Sequence, residues 1–178
     1  ANFSNRYRTK NGAYLVLDWN AIYNADEDLY YATARDITEQ RRTSINLKKT
    51  NQILSAVTNA HETYLASGMN RSWWDKVLAD VLEITGSEYG FIGAIEEDST
   101  GRYLKTFAST DISWDESTRA FFESGREDGH ESRNLQTLSG QVILSEQNVV
   151  ANNVADDPRA GGRPPGHPPL NRFLGLAL

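Results

Sequence analysis

Three histidines are the first residues to weigh, because imidazole titrates near neutral pH and can act as acid, base, nucleophile or metal ligand. His61 stands in His61-Glu62-Thr63-Tyr64-Leu65, on a stretch that reads as helix. A helical box whose histidine accepts a phosphoryl group carries an Arg and a Pro shortly afterwards. Tyr64-Leu65-Ala66-Ser67 supplies neither, so His61 is expected to be a helix-face residue in an interdomain seam. His130 and His167 lie in loops rich in Gly or Pro, with no partner at metal-ligand spacing. A single imidazole can ligate haem iron, but a solvent-facing or backbone-bonded histidine is the simpler expectation at both positions. No metal and no cofactor is expected.

The remaining candidates fall for physical reasons. The chain has no cysteine, which removes disulfides, thiolate metal sites, thiol nucleophiles and thioether-linked chromophores. Gly161-Gly162-Arg163-Pro164-Pro165-Gly166 has the glycines of a phosphate cradle, yet its prolines lack the N–H groups a cradle needs, and no lysine-plus-hydroxyl comes after it. It reads as a stiff lid or edge loop. The acidic groups Asp26-Glu27-Asp28, Glu96-Glu97-Asp98 and Asp156-Asp157 are expected in solvated turns, whereas paired catalytic carboxylates face each other across a cleft. No convincing Ser–His–Asp order and no Gly-x-Ser-x-Gly pattern occurs. No catalytic residue is expected.

The element that must position everything else is Asp36 to Ser67, a run without Gly or Pro. Asp36 and Glu39 form a D-x-x-E start, and Gly68 supplies a stop because it tolerates the left-handed conformation. Such a helix spans roughly 45 Å at ~1.5 Å per residue; the plain alternative is two helices kinked near Thr43–Ser44. Ile53, Leu54, Val57, Ala60, Tyr64 and Leu65 form an apolar stripe expected to dock on the next domain. Ile37, Gln40, Ser44 and Leu47 form a thinner heptad seam that could pair with its copy in a parallel homodimer.

The 178 residues suffice for one or two domains. Net charge is −6, which argues against a nucleic-acid or anionic-membrane partner. No apolar run reaches the ~18 to 20 residues of a membrane span, and the polar, basic N-terminus does not read as a signal peptide. A cytoplasmic chain fits. It starts on Ala and stops on Phe173 to Leu178, FLGLAL, which reads as a buried strand; a fragment of a larger protein is expected.

Residues 2 to 35 read as three antiparallel strands. Asn11-Gly12 favours a two-residue hairpin turn, which places Tyr7 opposite Val16 and Ser4 opposite Trp19. Leu15, Leu17, Trp19 and Ala21 then share one face. Asn24 to Asp28 is an acidic turn, and Leu29 to Ala34 the third strand. RYRTKNGAYLVLDWNAIYN and then DLYYATARDITEQRR, residues 6 to 42 with Asp36-Ile37-Thr38 as the D-I-T hallmark, resemble the C-terminal half of a PAS domain. The resemblance implies that Asp36 and Thr38 couple the last strand to the helix.

Beyond Gly68, a helix beginning at Ser72 carries Trp74, Val77, Leu78, Val81 and Leu82 at core spacing and ends at Thr85-Gly86-Ser87. Strands are expected at Tyr89–Ile95 and Tyr103–Ser109 around the turn EEDSTGR. Ser113 with Glu116 caps a third helix bearing Phe121 and Phe122, and Ser124 to Ser132 is a polar loop. A short helix Leu138–Glu146 stopped at Asn148, a strand Val149–Val154, a long loop and a strand Arg172–Leu178 complete the order. VLEITGSEYGFIGAI, TFASTDISWDESTRAFFES, RNLQTLSGQVILSEQNVVANN, DPRAGG and PPGHPPLNRFLGLAL resemble a GAF domain over residues 47 to 178, lacking the family's later strands and closing helix. The resemblance implies that Phe91, Trp114, Phe121, Phe122, Asn134, Leu138 and Asn153 surround a small-molecule cavity. A plain hydrophobic core is the competing reading, and Gly166-His167-Pro168-Pro169-Leu170 would lead into the pocket wall.

The expected fold class is α+β: an antiparallel PAS-type sheet remnant (residues 1–36), a long connecting helix (37–67) and a GAF-like antiparallel sheet flanked by helices, incomplete at its C-terminus (68–178). The resemblances imply a sensory and relay segment of a bacterial signalling protein, with an output domain in the same chain. A sensor histidine kinase is the first expectation for the parent and a diguanylate cyclase the second. A cyclic-nucleotide-binding GAF module is the alternative from another class, though Asn171-Arg172-Phe173 does not supply that signature. An enzyme reducing methionine sulfoxide works through cysteines and is disfavoured.

Overall fold

A computed structural model describes residues 2–111, 129–161 and 169–178. The described residues form a mixed α+β arrangement in two compact units, Ala1–Ser55 and Ala56–Leu178.

In the first unit, strands β1 (Asn2–Arg8), β2 (Tyr14–Asn24) and β3 (Leu29–Asp36) form an antiparallel sheet in that order. The hairpin register differs from the expected one: Tyr7 lies opposite Leu15 and Ser4 opposite Asp18. The cause is the turn. Thr9 N–H donates to Ala13 O at 2.8 Å and Gly12 N–H to Thr9 O at 3.0 Å, closing a three-residue loop instead of a two-residue one. Gly12 takes φ 86° while Asn11 does not enter the left-handed region. The Asn11 amide oxygen instead accepts from Ala13 N–H at 3.3 Å and faces the Thr9 hydroxyl. The extra loop residue brings Phe3 opposite Trp19, where their rings stack at 6.1 Å.

Helix α1 (Thr38–Ser67) begins in this unit and ends in the next, a single helix without interruption at Thr43–Ser44. Gly68, at φ 70°, terminates it, its N–H donating to Tyr64 O at 2.8 Å. Only part of the expected docking stripe packs: Ala60 and Tyr64 meet Trp73. Val57 and Leu65 remain 62% and 70% exposed, and Ile53, Leu54 and Tyr64 are exposed as well. The half-buried positions near the end of the helix are Ala56, Ala60 and Thr63, whose short side chains let a neighbouring aromatic ring approach the backbone.

The second unit continues with helix α2 (Arg71–Thr85), strands β4 (Phe91–Asp98), β5 (Gly101–Ser109) and β6 (His130–Ser132), helix α3 (Leu138–Ser145) and strands β7 (Val149–Ala151) and β8 (Phe173–Gly175). β4-β5-β6 and β7-β8 are separate antiparallel sheets. Asn70, immediately before the helix, caps α2: its side chain accepts from Trp73 N–H, and the helix starts at Arg71, one residue ahead of the expected Ser72. Gly86 closes α2. Leu138, Val149, Ala151 and Val154 form a buried cluster against Val142, Ala160, Leu170 and Phe173, and Leu78, Tyr103, Ala108 and Ile143 are also buried.

Four further expectations are corrected. Glu96, Glu97 and Asp98 belong to β4 and not to the turn, because their partners Tyr103, Arg102 and Gly101 continue the ladder. His130–Ser132, expected as loop, pairs with Thr106, Lys105 and Leu104 of β5. Helix α3 ends at Glu146 in a left-handed conformation (φ 54°), and Asn148 instead accepts from Ala177 N–H at 3.1 Å. Of Arg172–Leu178 only Phe173–Gly175 pairs, with Leu174 and Leu176 exposed. The helix expected from Ser113, with Trp114, Phe121 and Phe122, lies outside the described residues, as do His167 and most of the Gly161–Gly166 loop.

Candidate functional site

The junction of β3 and α1 is built from the D-I-T tripeptide. Asp36 Oδ1 accepts from Thr38 N–H at 2.9 Å and from the Thr38 hydroxyl at 2.6 Å. These bonds, the hydroxyl's first and the backbone's second, hold the Asp36 carboxyl below its ordinary pKa. Asp98-Ser99-Thr100 repeats the same local device, with Thr100 N–H and hydroxyl on Asp98 Oδ1 at 2.8 and 2.6 Å. The D-x-T pattern therefore supplies a turn-closing unit at both places. What distinguishes Thr38 is its second bond: its hydroxyl also accepts from Val16 N–H of β2 at 2.7 Å, while Ile37 N–H donates to Val16 O at 2.9 Å. The first helical turn is thus pinned to the central strand of its sheet.

The far end of α1 meets a row of aromatic rings. Trp73 Nε1–H donates to Ala60 O at 2.7 Å. Tyr64 meets Trp73 edge-on at 6.5 Å, Trp73 meets Trp74 edge-on at 4.6 Å, and Trp74 stacks on Phe107 of β5 at 4.9 Å. A continuous packed path runs from the last turns of α1 through α2 to the sheet. Trp74 was legible as a core residue from its spacing. The role of Trp73 was not, although an indole N–H that becomes half-buried needs an acceptor, and adjacent tryptophans flag two different faces.

The expected pocket residues fall into different settings. Leu138 is buried in the α3–β7 cluster. Asn134 closes a turn by accepting from Gln136 N–H at 3.0 Å. Asn153 accepts from Ala155 N–H at 3.2 Å and donates to Asp156 Oδ2 at 2.7 Å. Phe91 begins β4 and is 43% exposed. Trp114, Phe121 and Phe122 lie outside the described residues.

Two arginines close the loops of this unit. Arg133 bonds Asp98 through both oxygens (2.7 and 3.2 Å), Glu131 at 2.9 Å and Thr100 Oγ1 at 2.5 Å, and lies 4.3 Å over the Tyr103 ring. Hydrogen bonding to Arg133, and next to Thr100, drives the Asp98 carboxyl well below the carboxylate range. Tyr103 donates to Glu96 at 2.8 Å, which raises its phenol pKa. Arg159 holds Asp157 at 2.9 and 2.7 Å and donates to Val150 O at 2.9 Å. The Arg159 side chain, and then its backbone N–H, lower the Asp157 carboxyl to about 2. These ion pairs are saturated and structural in geometry. Among the described residues no cluster of three or more His, Asp or Glu is placed to hold a metal ion, and no helix is long and apolar enough to cross a membrane. His61 is exposed on α1.

Comparison with known proteins adds a family. No curated protein and no solved structure matches the chain. The family model for the GAF domain matches residues 74–178, from the tryptophan that stacks on β5 to the last residue. That match takes in more than half of the chain and all of the strands β4–β8; the chain belongs to the GAF domain family.

Proposed function

We propose that this chain is the sensory and relay segment of a bacterial cytoplasmic signalling protein, in which a PAS-type sheet and a GAF domain share helix α1. The GAF domain itself is a sensory and signalling module. The parent activity that best fits this order of modules is a sensor histidine kinase. A change of packing in either module, on binding a small molecule or a partner, shifts the population of helix arrangements in a homodimer and biases the output domain.

The observation that carries this reading is the treatment of α1 at its two ends. The helix is unbroken over Thr38–Ser67. At its start Thr38 bonds Val16 of the central strand, and near its end Trp73 bonds Ala60. A helix pinned to a sheet at one end and read by an aromatic row at the other converts a shift of either into a shift of itself.

The experiment is a register series in the full-length parent. Inserting one residue after Ser55 rotates the downstream half of the helix by about 100°, whereas seven residues complete about two turns. Output is expected to be lost or locked after the single insertion and recovered after seven. Equal output from both variants would overturn the relay.

A further inference from the structure

Between strands β1–β2 and the first turns of α1 lies a groove of about 510 Å³, formed wholly within the first unit. Its apolar lining includes Val16 and Ile45, and three guanidinium groups, Arg6, Arg41 and Arg42, border it. We propose that this groove binds a small amphipathic anion: an organic carboxylate or phosphate carrying an aliphatic or aromatic arm.

Charge is the first argument. The chain is acidic overall, at −6, and four of its other described arginines, Arg71, Arg102, Arg133 and Arg159, pair with carboxylates. Arg6, Arg41 and Arg42 take part in none of the ion pairs among the described residues. Asp18 and Asp36 of the same sheet keep their charges when bonded by the Ser4 and Thr38 hydroxyls, but neither lines the groove and neither pairs with an arginine. Three cations that enter no ion pair around one concavity attract an oxyanion, and guanidinium forks suit its paired oxygens.

Pre-organisation is the second. Arg6 is held 4.4 Å above the Tyr14 ring. Stacking on a ring engages the face of the guanidinium and leaves its in-plane N–H groups directed sideways. The apolar floor between the cations is the third argument. A bare anion would leave Val16 and Ile45 wet, whereas an apolar arm covers them, and the volume falls within the ~300–1,000 Å³ typical of small-molecule sites. The ligand would bridge β1 to α1, on the side of the junction where Thr38 already bonds Val16. The site stands on the groove's own charge and shape, and holds whether or not the chain acts as a relay.

The test is titration of the intact 178-residue chain with octanoate and phenyl phosphate, monitored by calorimetry and backbone amide shifts. Octanol and inorganic phosphate serve as the separate halves of the ligand. Both amphipathic anions should saturate a single site, at least tenfold more tightly than either half, with shifts confined to residues 4–6, 16 and 38–46. The variant Arg41→Gln/Arg42→Gln, at exposed helix positions that accept glutamine readily, should lose at least tenfold while its circular dichroism is unchanged. Arg41→Lys/Arg42→Lys should keep part of the affinity. Absence of saturation, equal binding of octanol, unchanged affinity in the glutamine variant, or tighter binding of an Asp-Glu-Asp peptide would each overturn the proposal.

Discussion

Thr38 and Val16 are joined across 22 residues of sequence by one hydrogen bond, Val16 N–H to Thr38 Oγ1 at 2.7 Å. The same hydroxyl hydrogen points at Asp36, so a single side chain closes the turn, starts the helix and satisfies a strand amide. Replacing it by Thr38→Val keeps the shape and removes the oxygen. The Val16 amide would then be half-buried without a partner, at a cost of about 1–3 kcal/mol. Hydrogen exchange at Val16 should accelerate accordingly, and Thr38→Ser should restore protection. Unchanged exchange in the valine variant would show that the bond contributes nothing.

Trp73→Phe tests the other end of α1. The ring contacts with Tyr64 and Trp74 survive in kind, but the donor to Ala60 O disappears. A loss of about 0.5–1.5 kcal/mol in urea denaturation is expected, with a larger loss for Trp73→Ala because the aromatic row is broken. Equal losses for the two variants would mean that the hydrogen bond, and not the ring, holds the helices together.

The Asp157–Arg159 pair predicts an acid limb. A carboxyl lowered to about 2 in the folded chain, against ~3.9 when unfolded, favours the folded state above pH ~4 and loses that contribution as pH falls toward 2. Carbon-detected titration of Asp157 should show the low midpoint. Between about pH 5 and 2.5, spanning those two values, Asp157→Asn should lose less stability than the parent chain; an equal loss in both would refute the assignment.

The exposed side of α1 bears on assembly. Ile53, Leu54, Val57 and Leu65 lie exposed on this helix, where a parallel partner helix would cover them. Sedimentation should show a dimer that becomes a monomer in Leu54→Glu/Val57→Glu. A monomeric parent chain at high micromolar concentration would remove the homodimer from the proposed function.

Gly93 marks a place where backbone proximity excludes any side chain. A Cβ there would lie 2.4 Å from Lys105 O, beside the register shift between Ile92 and Gly93. Gly93→Ala should destabilise the second unit by roughly 1–3 kcal/mol, read as a lower melting midpoint. No change would mean that the irregularity in β4 is soft.

The chain's local rules were written in its residues. Absence of cysteine excluded thiol chemistry, absence of Gly and Pro across Asp36–Ser67 foretold one helix, and Gly68 and Gly86 marked two helix ends. Each depends on a residue and its near neighbours, where backbone sterics and capping decide the outcome. Helix α2 and strands β4 and β5 were legible for the same reason, through the 3.6 and 2 periodicities of successive segments, while the GAF likeness came from the resemblance of motifs such as VLEITGSEYGFIGAI. Tertiary structure decided what local rules leave degenerate. The Thr9–Asn11 side chains chose a three-residue hairpin loop and moved the register of β1 by one. Trp73 meets the stripe of α1 at Ala60 and Tyr64 and leaves its larger aliphatic residues exposed, because the small Ala60 lets the indole N–H reach a carbonyl. Arg133 found Asp98, 35 residues away, and with it gave β6 an anchor. Such pairings depend on which distant groups arrive together, and their energies appear only once the chain has folded.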